Sequence, residues 1–251
     1  MNGAVLETQG LTKSFGGLLA VDDVHFKLVP GELHAIIGPN GAGKTTFFNL
    51  ITGLLSADSG RVLFQGADIT GKPPHAISRL GLARTLQIKS VFNGLTVYEN
   101  VWIAAHSRSG SLHPLRPAKS FKETGRKVEA ILDRLGLAEY REEVAGNLSY
   151  GDVALLEIAI ALATEPELLL LDEPVAGMSP SETQKTVEMV KELSKSVNII
   201  LIEHDMEVVF DAADVITVMN QGAVLCDGKP DAIAKDARVQ EAYLGAPDEE
   251  A

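Results

Sequence analysis

The chain has 251 residues, 45% of them hydrophobic, and its 34 acidic and 22 basic residues give a net charge of −12. This length and apolar content suffice for one large α/β unit or two close-packed lobes. The acidic balance argues against a nucleic-acid partner held by phosphate contacts, and the single cysteine, Cys226, excludes internal disulfides and a cysteine-based metal site, as in a reducing cytosol.

The N-terminal quarter of the chain predicts antiparallel strands. Residues 5–28 and 61–69 alternate in hydrophobicity and carry Gly-Gly and Gly-Ala turns. No apolar run approaches the roughly 18 residues of a membrane-spanning helix, and residues 1–10 lack a basic segment followed by an apolar one. We therefore expect neither a membrane span nor a signal peptide.

A phosphate-binding loop follows a short apolar strand at residues 34–37 and opens a helix at residues 45–52. The loop matches G-x-x-x-x-G-K-[ST] at every position and consists of Gly38, Pro39, Asn40, Gly41, Ala42, Gly43, Lys44 and Thr45, with Thr46 next. Its backbone N–H groups and the helix N-terminus suit phosphate oxygens. Lys44 would reach the β- and γ-phosphates, and the Thr45 hydroxyl would ligate Mg²⁺. The alternative is a glycine-rich turn that only joins strand to helix; the complete match instead predicts nucleoside triphosphate binding.

Strand signals disappear between residues 91 and 145. Residues 96–106 and 121–135 have helical apolar spacing, which predicts a mostly helical insertion. Residues 107–120 are rich in Ser, Pro and Arg without periodicity, which indicates a solvated loop. The alternative is that its basic residues Arg108, Arg116 and Lys119 touch lipid headgroups.

A helix start is predicted at Ser149, which forms an S-x-x-D capping box with Asp152 ahead of residues 153–163. Taken alone, a capped helix needs no function. Further along, residues 168–171 are four leucines that end in Asp172, a pattern typical of a buried parallel strand. Asp172 would hold Mg²⁺, and Glu173 would point the opposite way and face an attacking water. The alternative for Glu173 is an ordinary ion pair. A crossover helix at residues 183–194 and strands at 198–202 and 215–219 complete a parallel core.

In this order and spacing the motifs resemble those of the ATP-binding cassette (ABC) family, over residues 6–245. Leu148-Ser149-Tyr150-Gly151-Asp152 stands where the family usually has Leu-Ser-Gly-Gly-Gln. The resemblance implies a P-loop NTPase (RecA-like) core with an antiparallel β-subdomain and a helical insertion subdomain. The boundaries we expect within this single domain are residues 1–90 and 155–251 for the nucleotide-binding core with its β-subdomain, and 91–154 for the helical subdomain.

The resemblance also implies roles for individual residues. Gln87 would sense Mg²⁺ and the catalytic water, His204 would contact the γ-phosphate, and Phe15 would stack on adenine. Ser149 and Gly151 would close on ATP held by a second cassette, and residues 175–180 would cross the dimer interface. The alternative is that both residues have only structural roles, Phe15 as an aromatic residue of the core and His204 as a histidine at the end of a strand. ATP and Mg²⁺ are the implied cofactors.

The implied partners are transmembrane permease subunits and a second cassette, identical or different, on the cytoplasmic face of the plasma membrane. Apolar residues after Gln87, among them Phe92 and Trp102, would build the helical core, and a few would form a groove for a permease helix. Binding of ATP would close two cassettes, and hydrolysis would release them.

The finer sequence around residues 148–159, 172–178, 228–233 and 239–245 looks like that of the branched-chain amino acid importers, whose relatives serve urea, short amides and carboxylates. Two alternatives remain open: a cassette of a lipid or polysaccharide exporter, and a soluble ABC ATPase without a transporter.

The sequence departs from the family pattern in three places. Asp152 replaces the usual glutamine and residues 153–155 directly after it replace a polar, arginine-bearing stretch, Ile160 stands where an arginine is common, and Ser179 replaces Asn or Asp. The Asp152 carboxylate lies near the expected γ-phosphate, so we expect weaker ATP-driven closure than in a glutamine-bearing relative. Hydrolysis is still expected because Glu173 and His204 are present.

Overall fold

The computed structural model describes residues 3–85, 91–108 and 121–244. Its strands and helices, in chain order, are β1 (Leu6–Phe15), β2 (Leu18–Leu28), β3 (Leu33–Ile37), α1 (Lys44–Ile51), β4 (Ser59–Phe64), β5 (Ala67–Asp68), α2 (Pro74–Arg79), β6 (Leu82–Arg84), α3 (Val97–Ser107), α4 (Lys122–Arg134), α5 (Tyr150–Ala163), β7 (Leu168–Asp172), α6 (Pro180–Ser194), β8 (Asn198–Ile202), α7 (Met206–Ala212), β9 (Val215–Asn220), β10 (Ala223–Gly228), α8 (Pro230–Ile233) and α9 (Ala237–Leu244).

The chain divides into two compact units, one of residues 1–80 with 191–251 and one of residues 81–190. The first unit contains an antiparallel sheet of order β2-β1-β4-β5. The hairpin β1–β2 pairs Phe15 with Leu18 at its tip. This antiparallel pairing confirms the antiparallel strands predicted from sequence. The alternation that predicted them is visible in β2, where buried and exposed residues alternate over much of the strand.

The first unit also holds a second run of paired strands in the order β10-β9-β3-β8. Strand β3 lies parallel to both β8 and β9, and all five of its residues are buried. Helix α1 packs Phe47, Phe48 and Ile51 into the core with at most 1% of each residue exposed. The buried strand followed by this helix fixes both ends of the loop at residues 38–43.

The second unit contains the parallel pair β6–β7 and the helices α3, α4 and α5, which pack on one another. Helix α3 begins with a complete capping box between Thr96 and Glu99, so its start is set by local sequence. The four leucines of β7 are fully buried. Leucine alone favours a helix, but Pro166 and Pro174 limit the run to a length that suits a strand.

The helical segments predicted between residues 96 and 135 are confirmed as α3 and α4, and the crossover helix as α6. The two compact units meet at residues 80/81 and 190/191, which differ from the subdomain boundaries expected from sequence; those boundaries remain a prediction. Among the described residues no helix is both long and apolar enough to cross a membrane.

Candidate functional site

The phosphate-binding loop lies in the first unit between β3 and α1. A side chain at Gly38 would place its Cβ 2.2 Å from the carbonyl oxygen of Met219, and one at Gly43 would lie 2.3 Å from that of Ala20. Gly43 also has φ of 98° and is the residue before helix α1. Both glycines are therefore required by close backbone approach, and they fix the loop against strands β2 and β9.

Lys44 folds back on the loop that carries it. Its Nζ donates hydrogen bonds to the carbonyl oxygens of Gly38 at 2.5 Å and Pro39 at 3.1 Å. A β- or γ-phosphate oxygen is an anionic acceptor and would compete for this ammonium group, since charge-assisted hydrogen bonds are the stronger ones. The helix that begins at Lys44 has no side-chain cap at its N-terminus, which is the end of a helix that attracts an anion.

Phe15 and His204, also in the first unit, are both accessible. Phe15 is 47% exposed at the tip of the β1–β2 hairpin, and the Lys13 ammonium lies 5.7 Å from its ring centroid. The His204 side chain is 66% exposed and follows the end of β8 at Ile202, and its Nδ1 lies 3.8 Å from the carboxylate of the fully buried Glu203. This exposure argues against the alternative in which Phe15 belongs to the core and His204 is a packed structural histidine.

Asp172 ends strand β7 in the second unit, where it is buried and paired. Arg84, at the end of β6, donates from Nη2 to Asp172 Oδ2 at 2.6 Å. The other carboxylate oxygen, Oδ1, is buried and accepts no hydrogen bond from the residues that the structure describes. A buried carboxylate oxygen without a donor fits a hard divalent cation or a water bound to one.

Glu173 differs from its expected geometry. Strand β7 ends at Asp172, and Glu173 has φ of 50°, in the left-handed region. Glu173 therefore lies in a turn after the strand, and the expectation that it continues the alternation of β7 is wrong; its role towards an attacking water stays a prediction. A non-glycine residue in this region costs about 1–3 kcal/mol, and such residues concentrate at functional sites.

Ser149 is the N-cap of helix α5. Its Oγ accepts from the backbone N–H of Asp152 at 3.1 Å and donates to Asp152 Oδ2 at 2.7 Å. The predicted cap is confirmed, although the Asp152 carboxylate bonds the Ser149 hydroxyl, where a full capping box would bond the N-cap backbone N–H. Gly151 is buried, and a Cβ there would lie 3.0 Å from Glu182 Oε1, so this glycine accommodates helix α6.

The structure thus places the phosphate loop, Phe15 and His204 in one unit and Asp172, Glu173, Ser149 and Gly151 in the other. Gln87 lies outside the described residues. Sequence reasoning missed two residues near these side chains. Arg84 is signalled only as a cation on an otherwise apolar three-residue strand, and Glu182 caps α6 by accepting from both the N–H and the hydroxyl of Ser179.

These features define a P-loop nucleotide-binding protein of the cassette type. The model of the ABC transporter family matches residues 21–176, and a second model, described as branched-chain amino acid ATP-binding cassette transporter, matches residues 223–249. The chain belongs to the ATP-binding cassette transporter family, and the predicted fold class is confirmed.

Individual relatives align over almost the whole chain. The high-affinity branched-chain amino acid transport ATP-binding protein LivG of Escherichia coli K12 is 42% identical, with 98% of this chain and 99% of that protein covered. Among solved structures, a nucleotide-free ATP-binding cassette from an ABC transporter superposes with a TM-score of 0.86 at 34% identity and covers 97% of this chain and 100% of its own. The ADP conformation of an ATP-binding cassette of an ABC transporter gives 0.85 at 34% identity, with 97% and 99% covered.

Proposed function

We propose that this chain is the ATP-hydrolysing subunit of a membrane importer for branched-chain amino acids or for chemically related amides and carboxylates. The observation that carries the proposal is the 42% identity to the branched-chain transport protein LivG over 98% of the chain, together with the branched-chain family match at residues 223–249. The match at residues 223–249 lies outside residues 21–176, which match the general ABC transporter model, so it favours this transporter class over an exporter cassette.

The residues of the first unit bind the nucleotide. The N–H groups of the loop at residues 38–45 and the Lys44 ammonium hold the phosphates, and the exposed Phe15 ring stacks on the base. His204 contacts the γ-phosphate. Its side chain is 66% exposed, so an incoming anion can reach the imidazole from solvent.

The residues of the second unit supply chemistry and closure. Glu173 accepts the proton of the attacking water, and Gln87 orients that water. Thr45 of the first unit, Asp172 and Gln87 would hold Mg²⁺, which when bound neutralises charge on the β- and γ-phosphates. The Ser149 hydroxyl and the N-terminus of α5 approach the ATP of another cassette, as a helix N-terminus suits an anion.

The partners follow from this assignment. A second cassette, identical or different, completes each nucleotide site, and permease subunits receive the resulting movement at the cytoplasmic face of the membrane. Phe92 and Ile103 of the second unit are 57% and 40% exposed, so large apolar side chains near the predicted groove are available for a permease helix.

Uptake measurements test the proposal. A strain that lacks this gene should lose uptake of radiolabelled leucine, isoleucine or valine, and plasmid-borne wild-type chain should restore it. The Glu173→Gln variant, expressed at the same level, should not. Labelled urea and acetamide measured in the same cells decide between the related substrate classes. Undiminished uptake of every one of these compounds in the deletion strain would contradict the proposal.

A further inference from the structure

A buried ion pair joins the ends of β6 and β7, and the proposed reaction assigns a role to only one of its two residues. The two strands are parallel, with Arg84 in register with Leu170, so their carboxyl ends lie side by side. The Arg84 guanidinium reaches Asp172 Oδ2 at 2.6 Å, and the two side chains are only 8% and 1% exposed. The pair therefore joins the residue proposed to hold Mg²⁺ to the strand that leads towards Gln87.

Burial makes this contact electrostatically consequential. A buried carboxylate requires a nearby positive charge, because removing one partner of a buried pair leaves an uncompensated charge. Arg84 supplies that charge at one oxygen of Asp172. The second oxygen, Oδ1, is buried and has no donor among the described residues. The carboxylate thus has one cation at Oδ2 and a second acceptor, Oδ1, that suits another cation or its bound water.

We propose that Arg84 is a positioning residue for the Mg²⁺ that accompanies the nucleotide, and that its charge sets how tightly this cation is held at Asp172. The guanidinium holds the Asp172 carboxylate in one orientation through Oδ2 before nucleotide binds, and leaves Oδ1 to the cation or to its bound water. Because Arg84 already offsets the carboxylate charge, Mg²⁺ gains less at Asp172 than it would at an unpaired carboxylate. This weaker hold allows the cation to leave with the product. The inference rests on the proposed nucleotide-binding function.

A purely structural role is the competing explanation, in which the ion pair only fastens β6 to β7. Both roles predict that loss of Arg84 lowers the melting temperature. They differ in the response to Mg²⁺. If the ion pair only stabilises the strand pairing, loss of Arg84 should not change how much Mg²⁺ strengthens nucleotide binding. If the Arg84 charge competes with Mg²⁺ at Asp172, its loss should change that effect.

The experiment measures the dissociation constant of ADP from the full-length chain by calorimetry, once in EDTA and once in excess Mg²⁺. The quantity compared is the constant in EDTA divided by the constant in Mg²⁺, which is larger the more Mg²⁺ strengthens binding. Arg84→Gln removes the charge, and Arg84→Lys is the matched control that keeps it. We expect the ratio to rise on the order of tenfold in Arg84→Gln, given one unit charge removed near the cation site. The ratio should stay near the wild-type value in Arg84→Lys. Melting temperatures measured with ADP in the two buffers provide a second readout of the same difference.

The Asp172→Asn variant completes a double-mutant cycle with Arg84→Gln. In this variant the ratio should fall towards one, and adding Arg84→Gln to it should produce no further change, because Arg84 acts through Asp172. An unchanged ratio in Arg84→Gln would overturn the proposal, and so would a shift that persists in the Asp172→Asn background. If Arg84→Gln does not fold, an Arg84→Lys ratio that departs strongly from wild type while the charge is kept would overturn it as well. Failure of the wild-type chain to bind ADP in either buffer would refute the proposed function itself.

Discussion

The Ser149 hydroxyl donates a hydrogen bond to Asp152 Oδ2 at 2.7 Å, so the side chain proposed to meet a phosphate on another cassette is already bonded to a carboxylate. To contact an anionic phosphate, this hydroxyl must give up its bond to Asp152. The Asp152 carboxylate, which lies within hydrogen-bond distance of that hydroxyl, would then stand beside the incoming negative charge. Both effects oppose ATP-driven closure.

Replacing Asp152 by glutamine should therefore strengthen ATP-dependent dimerisation. Like charges about 4 Å apart oppose each other by ~1 kcal/mol when fully solvated and by more near a protein surface, so the association should tighten by at least roughly fivefold. Sedimentation of Glu173→Gln with and without Asp152→Gln, in ATP at low and high salt, measures the change. The gain should shrink at high salt, since screening weakens repulsion between exposed charges. An equal dimer fraction in both proteins at low salt would show that the carboxylate is accommodated in the closed state.

Glu173→Gln should leave ATP binding intact while turnover falls by about 10²-fold or more, because the amide keeps the size of the side chain but cannot accept the proton. Lys44→Ala is the contrasting variant: it should weaken binding of ATP itself, since the phosphates lose their main side-chain cation. Titration with a fluorescent ATP analogue and a phosphate-release assay separate the two defects. Wild-type turnover in Glu173→Gln would remove Glu173 from the mechanism.

Turnover per chain should increase with protein concentration, or on addition of the permease, because Ser149 and Gly151 are proposed to complete the nucleotide site of another cassette. Phosphate release measured over a hundredfold range of concentration checks this expectation. Ser149→Arg should lower turnover at high concentration without changing nucleotide affinity at low concentration, where single chains dominate. A fully active chain whose turnover is independent of concentration would contradict the shared-site assignment.

His34 should make folding stability sensitive to mild acid. It is 3% exposed, its Nε2 lies 2.7 Å from Thr217 Oγ1, and burial lowers its pKa from 6.5 to about 4. Between these values the unfolded chain binds a proton that the folded chain does not, so the contribution is complete above pH 6.5 and declines as the pH falls towards 4.

Urea unfolding at pH 7 and pH 5 tests this effect, with His34→Gln as the non-titrating control. By pH 5 the wild-type chain should lose about 2 kcal/mol more of its free energy of unfolding than the variant does. The charged residues Glu7, His25, Lys27 and Asp227 line the cavity beside His34 and are present in both proteins. Parallel losses in the two proteins would assign the acid sensitivity to groups other than His34.

Gly43→Ala should destabilise the chain far more than Gly66→Ala. Both glycines have positive φ, 98° and 78°, so both substitutions incur the cost of a left-handed alanine, about 1–2 kcal/mol. Only Gly43 adds a clash, since its Cβ would lie 2.3 Å from the Ala20 carbonyl, whereas nothing lies within 4 Å at Gly66. Chemical denaturation compares the two, and equal losses would mean that the loop can shift away from Ala20.

Local sequence determined the elements that depend only on residues close together in the chain. The phosphate loop between an apolar strand and a helix, the Thr96 and Ser149 caps, and the proline-bounded leucine strand β7 all depend on neighbouring residues, so their position was predictable. The order of the motifs was equally a property of the chain, and it was enough to predict the family.

Tertiary structure decided what depends on residues far apart in sequence. The pairing of Arg84 with Asp172, 88 positions away, arises only because β6 and β7 lie parallel, and no local pattern marks a three-residue strand as the source of a counter-charge. The left-handed turn at Glu173 likewise replaced the strand geometry expected from sequence, because β7 ends one residue earlier. Side-chain direction and charge pairing at the site follow from how distant strands pack, and sequence periodicity carries no record of that packing.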